Sequence, residues 1–85
     1  MGPSRLIQLE RVWRMLDECL PGYERRATDH HHRITAPDGR IYPSLPLGAH
    51  GRRQNAEIQV GHVRSMARFF EIEECARRVL AEAFS

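Results

Sequence analysis

The sequence predicts a small α+β domain, with an N-terminal helix, a three-stranded antiparallel sheet and a C-terminal helical segment, the helices packed on one face of the sheet. Three observations predict it. Apolar residues near the start recur with helical period. A Pro37-Asp38-Gly39 turn then separates two extended runs. Beyond residue 60 the helical period returns. At 85 residues there is room for one domain, spanning residues 1–85. A chain of this size buries only about 60–65% of the surface it exposes when unfolded, so its core is thin and a second copy is a candidate partner.

The first helix is expected from Arg5, capped by Ser4. Leu6, Leu9, Trp13, Leu16 and Leu20 lie three or four apart, with Val12 and Cys19 beside them. Pro21-Gly22 ends it. Residues 23–28 are a weak strand, followed by strands at His31–Ala36 and Arg40–Leu45. Alternation puts His32, Ile34 and Ala36 on one face and His31, Arg33 and Thr35 on the other. Pro43 and Pro46 cannot donate ladder hydrogen bonds, so the third strand is expected to lie at an edge or to fray early. A polar loop covers residues 48–55, and residues 57–60 form a short strand or lead into the next helix. Val63, Met66, Ala67 and Phe70 mark a helix over 61–70. Glu73-Glu74 opens another helical piece, with Ala76, Val79, Leu80 and Ala83 as its apolar face.

Charge is uneven along this chain. Residues 1–21 are neutral, residues 22–68 carry eight Arg against four acids, and residues 69–85 carry two Arg against four acids. The centre is therefore electropositive. All 13 basic residues are Arg, which fits both a codon preference and a fork geometry suited to phosphate. Two distant cysteines, Cys19 and Cys75, make no disulfide framework and are expected to be free thiols in a reducing compartment. There is no apolar run of membrane-spanning length and no leader-like segment, so a cytoplasmic location is expected.

The run His30-His31-His32 is the most unusual feature. Strand alternation lets only His30 and His32 share a face, and no ligand-like spacing recruits His50, His62 or a cysteine, so no metal or other cofactor is expected. One reading is an exposed polar strand end. The other is acid–base chemistry on a phosphate, because imidazole exchanges protons near neutral pH. The 2′-hydroxyl of RNA is an internal nucleophile, so cleavage needs a base, an acid and positive charge. Arg33 beside the histidines and Arg52-Arg53 on the loop are candidates for that charge, or are simply solvated. Arg64 and Arg68 are four apart on a helix, placed either to track phosphates or to pair with Glu71 or Glu57. Trp13 falls on the apolar stripe and is expected in the core, while Tyr42 is the candidate for stacking on a base.

The order helix, strands, helix resembles the double-stranded-RNA-binding domain. The stretch His31-His32-Arg33-Ile34-Thr35-Ala36-Pro37-Asp38-Gly39-Arg40 resembles the strand-and-turn core of the HicA family of toxin ribonucleases, where a Gly-Ser-His-His segment leads into a Pro-Asp-Gly turn. Pro46, His50-Gly51, Glu57-Ile58 and His62-Val63-Arg64-Ser65-Met66 are similar to later positions of that family, and the likeness covers about residues 8–80. The resemblance implies an α-β-β-β-α fold like the double-stranded-RNA-binding domain, metal-independent mRNA cleavage and a HicB-type antitoxin partner. It places the catalytic histidine on His31. Read with the residues themselves, His30 or His32 is expected to assist, and Arg33, His50, Arg52, Arg53, Arg64, Arg68 and Tyr42 are the candidate RNA contacts.

The sequence departs from the family where Asp29-His30 stands in place of Gly-Ser, in a longer link from Pro46 to His50, and in a longer C-terminal helix. An aspartate there favours the protonated imidazole and repels phosphate. Two other readings stay open: a non-catalytic RNA-binding module on the same fold, and a protein–protein adaptor using the acidic set Glu71, Glu73, Glu74 and Glu82.

Overall fold

In the computed structural model, residues 5–48 and 56–84 are described. The Pro37-Asp38-Gly39 turn organises the middle of the chain. Gly39 takes φ 98°, a value L-residues avoid, and Asp38 Oδ1 accepts a hydrogen bond from the Arg40 amide at 3.0 Å. The Ala36 amide donates to the Arg40 carbonyl at 2.8 Å and closes the hairpin. Strand β3 (His31–Thr35) enters this turn and β4 (Ile41–Pro46) leaves it. Strand β2 (Glu24–Ala27) pairs with the other side of β3, giving an antiparallel sheet of order β2-β3-β4. The proline-bearing β4 lies at its edge, as expected. The β3–β4 register shifts between His32 and Ile34, a bulge where Pro43 and Ser44 enter β4.

The N-terminal expectation needs a correction. Helix α1 runs Leu9–Cys19, and Leu6–Gln8 form a strand, β1, paired with β5 (Glu57–Gln59) in a second, two-stranded sheet. Leu6 and Leu9 satisfy helical spacing, but the main chain of 6–8 finds ladder partners and Ile7 becomes buried opposite Ile58. Leu6 is 53% exposed. Ser4, the expected cap, lies outside the described residues. Helix α2 (Val60–Phe69) follows β5 directly. Thus α1 and α2 each start straight from a strand, with Gln8 and Gln59 as N-cap residues that make no side-chain cap bond. Their first amides are satisfied reciprocally: Leu9 donates to the Ala56 carbonyl at 2.8 Å and Val60 to the Arg5 carbonyl at 2.9 Å.

Helix α3 (Glu73–Val79) and a 3₁₀ turn (Ala81–Ala83) complete the fold. Glu71 makes the corner between α2 and α3 with φ 61°, the left-handed region in a non-glycine residue. The core forms where Val12, Met15 and Leu16 of α1 meet Ile34 and Leu45 of the sheet and Met66 of α2, all fully buried. The α1 stripe is therefore turned toward Val12 and Met15, leaving Trp13 half-buried at its margin.

The cysteines are a second correction. Cys19 at the end of α1 and Cys75 in α3 form a disulfide across a sequence separation of 56. Nothing in that spacing signals pairing; the packing of α3 on α1 brings them together. A reducing compartment therefore no longer follows from free thiols. Two polar contacts fasten the same C-terminal unit: Arg11 pairs with Glu82, and Arg64 Nε donates to the Ala83 carbonyl at 2.8 Å. Among the described residues, no helix is long and apolar enough to cross a membrane.

Candidate nucleic-acid interface and acid–base site

The turn between β2 and β3 decides where the histidines go. The Thr28 amide donates to the His31 carbonyl at 2.7 Å, and the His31 amide donates to Thr28 Oγ1 at 3.2 Å. This leaves Asp29 and His30 at the tip of a tight turn and starts β3 at His31. His30 and His31 are both exposed, with ring centroids 6.5 Å apart.

His32 goes elsewhere. It points to the opposite, inner side of the sheet, half-buried, with its ring edge-on to Trp13 at 4.9 Å. Its Nδ1 is buried, with no hydrogen-bond partner among the described residues. Burial, and then the nearby Arg25 charge, lower its pKa below the ordinary 6.5. The Arg25 guanidinium stacks 4.4 Å over the Trp13 ring. Trp13, Arg25 and His32 are thus one packed cluster, set apart from the His30–His31 pair.

Among the described residues, no helix covers the outer face of the sheet. His31, Arg33 and Thr35 point outward from β3, and the register sets Arg26 directly opposite Arg33. Like charges placed opposite one another on a sheet destabilise it unless an anion lies between them. Neither arginine has a carboxylate partner among the described residues. With Glu24, Arg25, Thr35 and Ile41 they line a shallow depression of about 290 Å³. Arg26 went unnoticed in the sequence because its strand has no apolar alternation; only the observed register shows it facing Arg33.

A second concavity, about 470 Å³, lies where the two sheets meet. Asp29 and His30 border it from the turn, Pro46 from the end of β4, Glu57 from β5, and His62 from the first turn of α2. His31 pairs with Pro46 in the register but is not itself one of the lining residues. Gly48, φ 108°, also borders it; a Cβ there would meet the Ala56 Cβ at 2.8 Å, so the chain re-enters close to where it leaves. Among the described residues there is no cluster of three or more His, Cys, Asp or Glu side chains able to hold a metal.

The remaining candidates are distributed differently. Tyr42 is half-buried against Phe69 and Phe70, with centroids at 5.5 and 6.4 Å, so it packs rather than standing free for a base. Arg64 is committed to the Ala83 carbonyl, and exposed Arg68 lies 3.8 Å from Glu73, rather than Glu71 or Glu57. His50, Arg52 and Arg53 lie outside the described residues. Of the four C-terminal acids, Glu73 and Glu82 are paired within the chain. No family model, curated protein or solved structure matches the chain.

Proposed function

We propose that the chain is a metal-independent endoribonuclease of the HicA kind, acting on mRNA, with His31 as the principal proton-transfer group. The observation that carries this reading is the exposed His30–His31 pair at the end of a sheet face that presents Arg26 and Arg33 without carboxylate partners. Acid–base groups beside arginines that lack an ion-pair partner suit phosphodiester cleavage: the arginines hold neighbouring phosphates of the RNA backbone, and an imidazole takes the 2′-hydroxyl proton. A HicB-like antitoxin would silence the protein by covering this face. His32 has no part in proton transfer here, because it is held inward against Trp13.

The test is cleavage of single-stranded and duplex RNA in the presence of EDTA, comparing the parent with His31→Ala. Cleavage by the parent and its loss in the variant are expected. Full activity in the variant would remove His31 from the mechanism. A second reading, an RNA-binding module without catalysis, is favoured by Asp29, whose carboxylate borders the same concavity as His30 and opposes a phosphate there. A folded parent that binds RNA and never cleaves it would favour that reading. An acidic docking face at the C-terminus is weakened by the pairing of Glu73 and Glu82.

A further inference from the structure

Cleavage of RNA by its own 2′-hydroxyl needs two proton transfers on opposite sides of the phosphorus. A base removes the 2′-hydroxyl proton as O2′ bonds to phosphorus. An acid protonates O5′ as the P–O5′ bond breaks, giving a 2′,3′-cyclic phosphate and a free 5′-hydroxyl. The strand histidines account for one of these transfers. Among the described residues, His30 and His62 are the two histidines that line this concavity, His30 from the β2–β3 turn and His62 from the first turn of α2. His62 is exposed and therefore accessible to a bound strand.

Resting on the ribonuclease reading above, we propose that His62 is the second catalytic residue, the general acid that protonates the departing O5′. The scissile phosphate then lies at the mouth of the concavity, between the β2–β3 turn and the first turn of α2. His31, next along the chain from the lining residue His30, takes the 2′-hydroxyl proton. The two sides of the reaction come from different sheets: β3 supplies the base, and β5, through its direct continuation into α2, supplies the acid. Asp29 and Glu57 in the same concavity offer acceptor oxygens for an imidazolium N–H. Leu6 and Ile58 give it an apolar wall for the face of a neighbouring base.

The experiment uses the full chain and a short RNA that the parent cleaves, made in two versions. One has the normal linkage at the mapped bond. The other carries sulfur in place of the bridging O5′, a leaving group that departs without protonation. Loss of the acid should slow the normal substrate about 100-fold or more in His62→Ala and His62→Gln. The sulfur substrate should then be cleaved within a few-fold of the parent rate. His31→Ala should be slow on both. Circular dichroism of both His62 variants reports whether the fold is kept. Parent-like rates on the normal substrate, or equal losses on the two substrates in a folded variant, overturn the assignment of His62 while the ribonuclease reading stands. A parent inert on every RNA overturns that reading, and this assignment with it.

Discussion

Breaking the Cys19–Cys75 bridge tests how this small domain is held together. The bridge closes a loop with a sequence separation of 56, from the end of α1 through both sheets and α2 to α3. In the chain-entropy account, a loop of that length removes about 14 cal/mol/K from the unfolded chain, or about 4 kcal/mol at 25 °C. Such a loss is a large share of the stability of a domain this size. With about 2 cal/mol/K of unfolding entropy per residue, it corresponds to a fall in Tm of about 20 °C. The assay is urea unfolding of the oxidised protein, the dithiothreitol-reduced protein and the Cys19→Ala/Cys75→Ala double variant, followed by circular dichroism. The midpoint should fall in both modified forms, and the slope of free energy against urea should rise, because the uncrosslinked unfolded chain exposes more surface. Alkylation and mass measurement confirm that two thiols have been released. Confirmed reduction with an unchanged midpoint would refute the loop-closure reasoning, leaving α3 held by its apolar contacts and the following 3₁₀ turn by Arg11–Glu82 and Arg64.

Three other perturbations probe separate features. Arg26→Ala/Arg33→Ala should reduce the salt dependence of binding to single-stranded RNA, lowering the slope of log K against log salt by about 1.4, whereas an unchanged slope would take both residues off the interface. The lowered pKa of His32 means that the unfolded chain binds its proton more readily than the native one, so stability should fall as pH drops below the ordinary 6.5 and level off below the depressed folded value. Chemical-unfolding midpoints between pH 8 and 5 should show this fall, and His32→Gln should flatten it; an equal fall in the variant would assign the effect to other groups. Glu71→Gly relieves a left-handed conformation that costs a non-glycine residue about 1–2 kcal/mol, less the entropy glycine loses on folding, so urea unfolding should show a gain of about 0.5–1 kcal/mol, and a net loss would contradict it.

What the sequence could reveal depended on whether a local signal had one meaning. Pro37-Asp38-Gly39 did, and the β3–β4 hairpin follows from it. The spacing of Leu6 and Leu9 had two, since a residue three positions away also suits the junction of a strand and a helix; only the presence of residues 57–59 decided for the strand. The disulfide had no local signal at all. The site divides the same way. The histidine run was conspicuous, and alternation correctly turned His31 and Arg33 away from His32. The opposition of Arg26 to Arg33 and the meeting of Asp29, His30, Glu57 and His62 around one concavity depend on register and on the packing of two sheets, which no spacing within one segment encodes.

The reciprocal bonds between β1 and β5 make the two strand–helix units, residues 5–9 and 56–60, near-equivalents about a two-fold axis passing between Ile7 and Ile58. Each helix begins on a carbonyl lent by the other unit, and both loans are main-chain, so no side-chain replacement at Gln8 or Gln59 withdraws them directly. Trimming the chain as far as Gln8 does. Residues 5–8 are in this sense the foundation of α2, and their removal would be felt at the first turn of α2, where His62 lies, as directly as in α1.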